Sequence, residues 1–136
     1  MIFGIGTDIV EVDRIREFCN KFGEKFLKRI LLSAEQEYCL NYTDPAPYIA
    51  GRFAAKEAIA KAFGFGIGEK LGWHDMEIIR EETGKPNVKL HGKAQILMDK
   101  IGSEKIQITL SHTNKHATAT AIIESPIGNK RQRLRR

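Results

Sequence analysis

Gly51-Arg-Phe-Ala-Ala-Lys-Glu-Ala-Ile-Ala-Lys-Ala-Phe-Gly64 is the stretch on which the reading of the whole chain depends. It is rich in alanine and free of any β-branched run, with Pro47 placed for a first turn and Gly64 for a stop. Those features predict one helix. At about 100° per residue, Ile49, Phe53, Ile59, Ala60 and Phe63 share an arc that can be buried. Gly51, Ala55, Ala58 and Ala62 form a second strip, of small residues, where another backbone can approach closely. Glu57 and Lys61 sit one turn apart on a flank. Arg52 and Lys56 lie along the apolar arc itself, where a solvated helix would not put them. Two expectations follow for that pair: they join Lys61 and Glu57 in serving an anion and a metal, or they snorkel to a subunit boundary.

Before this helix, residues 1–12 read as a strand, with Phe3, Ile5 and Ile9 alternating with Gly4, Gly6, Asp8 and Val10. The two glycines on the Asp8 face leave room for something close to the backbone. Asp8 thus shares a face with small and apolar residues, where a lone carboxylate is costly. Either a counter-cation answers it, or Asp8 ends the strand or pairs with Arg14. Asp13 is placed to cap a helix through Phe22 with Ile15, Phe18 and Phe22 on one face. A short amphipathic piece, residues 26–32, follows, and Ser33-Ala-Glu-Gln36 has the form of a capping box opening a helix to about Tyr42. Arg14, Arg16, Lys21, Lys25, Lys28 and Arg29 make this region basic. Singly these charges are a solvated surface, but as a patch they can dock an acidic protein.

Beyond the helix, Gly64-Phe-Gly-Ile-Gly68 lacks Walker spacing and follows a helix rather than a strand, so it reads as a flexible exit. Residues 75–81 and 87–90 read as strands joined by the turn Thr83-Gly-Lys-Pro86. An amphipathic helix over 92–101, a strand over 105–112, a turn at Asn114-Lys115 and a strand over 116–124 complete the order. This points to an α+β fold, a small antiparallel sheet packed against a long central helix.

The chain of 136 residues is sized for one domain with a single core. No apolar run approaches the roughly 18 residues of a membrane span. The N-terminus lacks a basic n-region and meets Asp8 early, so it is not read as a signal peptide. Two cysteines, Cys19 and Cys39, suit a reduced, cytoplasmic protein better than a disulfide framework. The net charge of +5 equals the charge of Lys130, Arg131, Arg133, Arg135 and Arg136 in an acid-free tail. Residues 1–124 are therefore read as the neutral, folded domain and 125–136 as a basic tail expected to be mobile. A high pI that comes from a tail does not argue for nucleic acid.

Asp8 and Glu57 supply hard oxygens from two elements, the manner in which Mg²⁺ is held together with waters and a substrate phosphate. No Cys/His spacing of the zinc kind is present. Ser111 and His112 are adjacent on a strand and point to opposite faces, so they are no nucleophile–base dyad. Either one, or the Thr113 backbone, can donate to a phosphate. His74 and His91 carry no pattern and are read as surface residues.

Taken together, Gly4-Ile-Gly-Thr-Asp-Ile-Val-Glu-Val12, Arg52-Phe-Ala-Ala-Lys-Glu-Ala-Ile-Ala-Lys-Ala62, Thr83-Gly-Lys-Pro86 and Leu110-Ser-His-Thr113 resemble, in order and to about residue 124, the holo-[acyl-carrier-protein] synthases. These are the short members of the 4′-phosphopantetheinyl transferase superfamily. The extension after Ser125 departs from that pattern. The resemblance implies the family's fold, and transfer of 4′-phosphopantetheine from coenzyme A to a serine of an apo acyl carrier protein, with release of 3′,5′-ADP, for fatty acid biosynthesis. By position, Asp8 and Glu57 would ligate Mg²⁺ and Lys61 would contact the phosphates, these three forming the catalytic group. Gly84, Lys85, Pro86, Ser111 and His112 would bind the nucleotide end, and Arg14 would meet the carrier. A homotrimer with sites between subunits is also implied. The serine's base stays open among Glu57, Asp8 and a metal-bound water. The competing readings are another Mg²⁺-dependent nucleotide or phosphate enzyme and, less favoured, a nucleic-acid-binding module.

Overall fold

The computed structural model describes residues 1–103 and 105–126. β1 (Ile2–Glu11) runs into α1 (Val12–Phe22), α2 (Glu24–Ile30) and α3 (Ser33–Leu40), then into α4 (Ala46–Phe63). A 3₁₀ turn (Trp73–Asp75) leads to β2 (Met76–Arg80) and β3 (Pro86–Leu90). α5 (Gly92–Ile101), β4 (Lys105–His112) and β5 (His116–Glu124) close the order. The basic tail read from the sequence lies outside the described residues except for Ser125 and Pro126.

α4 is bounded as its sequence dictates. Pro47 lies in the first turn, and Gly64 ends the helix at φ 97°, its N–H donating to the Ala60 and Lys61 carbonyls. A positive φ of that size is cheap only for glycine. The helix crosses one face of a three-stranded antiparallel sheet in the order β1-β5-β4. α1, α3 and β2 pack against its other sides. Burial therefore extends well beyond the expected arc, and of α4 only Tyr48, Phe53, Glu57 and Lys61 escape it.

The contact between β1 and α4 is backbone on backbone. A Cβ at Gly4 would stand 1.9 Å from the Ala62 carbonyl oxygen, and one at Gly6 would stand 1.8 Å from that of Ala58. The glycine face of the strand and the small-residue strip of the helix are thus each other's partners. Because β1 alternates, the same face carries Asp8 and Val10, while Ile5 and Ile9 turn outward. Ile5 and Ile9 are 60% and 65% exposed, on the sheet face that α4 does not cover.

The strands do not form a single sheet. β2 and β3 pair only with each other, from Met76↔Leu90 to Arg80↔Pro86, as a separate ribbon. β3 lies beside β4 without joining its ladder.

Three local expectations are corrected. Asp13 does not cap α1; it lies in the first turn and bonds Arg16 at 2.8 Å, a cation that also reaches Asp44 at 2.7 Å. The capping acid of α3 is Glu35, whose Oε1 accepts the Leu32 N–H at 3.0 Å, one residue earlier than the predicted box, and α3 stops at Leu40. In α1 only Val12 and Ile15 are buried, whereas Phe18 is half-buried and Phe22 exposed.

Candidate active site

Asp8 reaches the site because the glycine–alanine contact brings β1 against α4. Two residues beyond Gly6, its half-buried carboxylate accepts from Lys61 Nζ at 3.1 Å. The same ammonium donates to the Thr7 carbonyl at 3.0 Å. The counter-cation is thus Lys61 and not Arg14, which lies exposed on α1 with its guanidinium 5.6 Å from the Phe18 ring centre.

Glu57 stands next to Ala58 on the seam and one turn before Lys61. Burial is the main cause that pushes its carboxyl above the ordinary value; the Asp8 charge pushes the same way, and Lys61 opposes both. Two acids that feel each other across a half-buried gap attract a cation. Among the described residues no cluster of three His, Cys, Asp or Glu exists. A two-carboxylate set of hard oxygens fits Mg²⁺, which completes its shell with waters and a ligand's phosphate, and not zinc.

The remaining predicted residues lie elsewhere on the chain. Ser111 and His112 end β4, the far strand of the sheet, both exposed. In register, Asp8 faces Ala119, which faces Leu110, so Ser111 and His112 are two strands away, about 10 Å at usual spacing. The His112 ring meets the edge of Tyr48, 5.2 Å between centres, and Tyr48 stacks on Tyr42 at 3.5 Å. Lys85 and Pro86 border a groove of about 370 Å³ whose opposite wall is Lys105, Ile106, Gln107 and Ile108 of β4. Gly84 is exposed in the turn beside it, its carbonyl held by Arg80 at 2.8 Å. One chain therefore unites Asp8, Glu57 and Lys61 but keeps Ser111 and His112 at the opposite sheet edge.

Arg52 and Lys56 neither line this site nor reach a boundary. Both are buried, at 2% and 0% exposure, around a buried acid, Glu35. Lys56 Nζ donates to Glu35 Oε1 at 2.6 Å, to the Ile30 carbonyl at 2.6 Å and to the Trp73 carbonyl at 3.1 Å. The Arg52 guanidinium lies 4.1 Å from the Tyr38 ring centre, with Nε 3.9 Å from Glu35. Burial pushes the Lys56 ammonium down, and Glu35 holds it up. Cys39, beside the cluster, is pushed up to about 11 by burial and is no nucleophile at neutral pH. Nothing in the local sequence marks Glu35 as buried; the capping pattern pointed to its neighbours. Of the two histidines read as surface residues, His74 is exposed and bonds the Lys28 carbonyl, whereas His91 is half-buried on Glu77 at 2.8 Å.

A second feature escaped the sequence. Phe18, Phe22, Phe26, Ile30, Phe53 and Trp73 line a groove of about 410 Å³ rimmed by Lys25 and Arg29. The aromatic side chains of α1 and α2 that helical spacing assigned to the core form its walls instead.

The sequence model of the 4′-phosphopantetheinyl transferase superfamily matches residues 4–121. A holo-[acyl-carrier-protein] synthase of Chlorobaculum parvum is 47% identical over 120 residues, spanning 88% of this chain and 97% of its own. A crystal structure of the Neisseria meningitidis holo-[acyl-carrier-protein] synthase superposes with TM-score 0.85 at 34% identity, covering 92% of this chain and all of that one. That of Bacillus anthracis, solved in complex with CoA (3′,5′-ADP), gives 0.78 at 33% identity over 92% of this chain and 98% of its own.

Proposed function

The chain belongs to the 4′-phosphopantetheinyl transferase superfamily, and we propose that it works there as a holo-[acyl-carrier-protein] synthase. It transfers 4′-phosphopantetheine from coenzyme A to a serine of an apo acyl carrier protein and releases 3′,5′-ADP. The observation that carries the site assignment is the meeting of Asp8, Glu57 and Lys61 across the β1–α4 seam.

The chemistry asked of these residues is modest. The serine oxygen forms a bond to the phosphorus that bears pantetheine, the bridging P–O bond breaks, and negative charge collects on the departing 3′,5′-ADP. The work is positioning and charge neutralisation. Asp8 and Glu57 would hold Mg²⁺, which when bound supplies positive charge to the diphosphate. Lys61, 51% exposed in its side chain, is long enough to leave Asp8 and meet a phosphate oxygen. The serine proton goes to Glu57, Asp8 or a water between them.

The reading extends to assembly and partners. Ile5 and Ile9 present an uncovered apolar sheet face, and the nucleotide-binding residues Ser111 and His112, with Gly84, Lys85 and Pro86, sit away from Asp8. A homotrimer packed through that face would let a neighbour's β4 end complete each site. Arg14 and the basic-rimmed apolar groove suit an acidic carrier protein. Among the described residues no helix is long and apolar enough to cross a membrane. A carrier protein as substrate supports reading the enzyme as one of cytoplasmic fatty acid biosynthesis.

The test is incubation with coenzyme A, Mg²⁺ and an apo carrier protein, read by the carrier's mass. Gain of one phosphopantetheine is expected. An unchanged carrier, with ADP or pyrophosphate produced from other nucleotides, would overturn the reading.

A further inference from the structure

Lys56 spends all three of its ammonium hydrogens inside the protein, and the acceptors are not scattered. Ile30, at the end of α2, and Trp73, at the start of the 3₁₀ turn, are both walls of the 410 Å³ groove, and both give their carbonyls to Lys56. A third wall, Phe53, sits on α4 and packs on Trp73 with ring centres 4.9 Å apart. Phe53 and Glu57 are four residues apart and share a helix flank. The groove and the acid pair are therefore two stations along one helix, and Lys56, between them, is tied to the walls that α4 does not own. Glu35 keeps the ammonium in place and is itself fixed by the Leu32 and Ile78 N–H groups at 3.0 and 3.1 Å.

A pair with a purely stabilising role would be an expensive choice. Buried ion pairs are commonly replaceable by apolar side chains at little cost to stability. What an apolar pair cannot do is hold two carbonyls from separate elements at fixed distances from a third.

We propose that Lys56, held by Glu35, is a positioning residue that sets the groove walls Ile30 and Trp73 against Phe53, so that a carrier protein seated there presents its serine to Glu57. The assignment rests on the reading that the groove receives the carrier.

The experiment is the double substitution Lys56→Met/Glu35→Gln in the full chain, which removes both charges of the pair together and leaves the Arg52 guanidinium, against the Tyr38 ring, as the one charge still buried there. Three measurements are made: the melting temperature, KM for the apo carrier and for coenzyme A, and the emission of Trp73, the only tryptophan of the chain. The expected result is a folded protein whose carrier KM rises roughly tenfold, the equivalent of one lost packing contact, while that for coenzyme A changes less than about twofold. Trp73 emission moves to the red and is quenched more readily by acrylamide as the wall parts from Phe53. Should this variant not fold, Lys56→Gln/Glu35→Gln keeps an amide to bond the Ile30 carbonyl and serves the same comparison. A folded variant with both KM values and the Trp73 emission unchanged would overturn the proposal, whatever its melting temperature. If the unmodified chain fails to transfer phosphopantetheine, the functional reading falls, and Trp73 emission still decides whether Lys56 holds the walls.

Discussion

Replacing Gly6 by alanine adds one methyl group and should be among the most damaging small changes in the chain. The new Cβ would lie 1.8 Å from the Ala58 carbonyl oxygen, 2.7 Å from the Ala62 nitrogen and 2.8 Å from the Ala58 carbonyl carbon. The first distance is about half of an ordinary van der Waals contact, and every atom involved is backbone, so no rotamer change relieves it. Either α4 lifts off the sheet or β1 is displaced. Overpacking a core with flexible neighbours costs about 1–3 kcal/mol, and a rigid clash belongs at or above the top of that range. For a chain of this size that lowers the melting temperature by on the order of 10 °C. Gly51→Ala is the control. Its Cβ would meet only the tip of the Leu110 side chain, at 3.3 Å, and it removes a glycine from the middle of a helix. The gain from helix propensity, about 1 kcal/mol, should leave it neutral or slightly stabilised. Thermal unfolding by circular dichroism compares the two. If Gly6→Ala melts within about 1 kcal/mol of the parent, or no lower than Gly51→Ala, the backbone-to-backbone seam is not what holds the site elements together.

Glu57→Gln should abolish Mg²⁺-dependent transfer yet leave the melting temperature at neutral pH unchanged or slightly raised. The sign follows from its raised carboxyl pKa: the folded state binds the proton more tightly than the unfolded state, so charging Glu57 costs stability as pH rises above the usual glutamate range. Below that range the difference between variant and parent should vanish, and Mg²⁺ should raise the melting temperature of the parent only. A Mg²⁺ response retained by the variant would contradict the ligand role. Arg14→Glu should raise KM for an acidic carrier far more than KM for coenzyme A, and equal effects would move Arg14 off the docking surface. Ile9→Lys, on the uncovered sheet face, should shift the assembly from trimer to monomer by light scattering and cut turnover without unfolding the chain. A parent that is monomeric at working concentration would refute that arrangement.

The two halves of the β1–α4 seam were each legible alone. Gly4 and Gly6 announced a close approach, and so did Ala58 and Ala62. Their partnership was not, because it joins residues more than fifty positions apart and no local pattern encodes which surface meets which. The ends of α4 were legible because Pro47 and Gly64 act through their own backbones. Lys56 and Arg52 were misread for the same reason that Glu35 was overlooked. A charge on an apolar arc signals a partner, but the partner is an ordinary acid on another helix, buried only once the chain has folded. That Asp8 needs a counter-cation was legible, since a carboxylate among glycines and apolar residues demands one, but that the cation is Lys61 was not. Asp8, Glu57 and Lys61 were grouped as the catalytic set through the family resemblance. The split of the strands into two sheets had no signal, since β2 and β3 have the alternation of any half-buried strands.

Along the glycine–alanine seam β1 and α4 meet backbone to backbone. Two surfaces stripped of side chains meet closely but have no teeth, so nothing in their shape resists sliding one along the other. What fixes α4 lengthwise lies off the seam: its buried Ile49, Ile59 and Phe63, and polar pegs at its flanks. On one side Lys61 pins it to the Thr7 carbonyl and Asp8, and on the other Lys56 pins it to Ile30, Trp73 and Glu35. The helix behaves as a slat in a frame: pulling a peg need not melt it, but lets it slip, and a slip along its axis changes the distance between Glu57 and Asp8 directly.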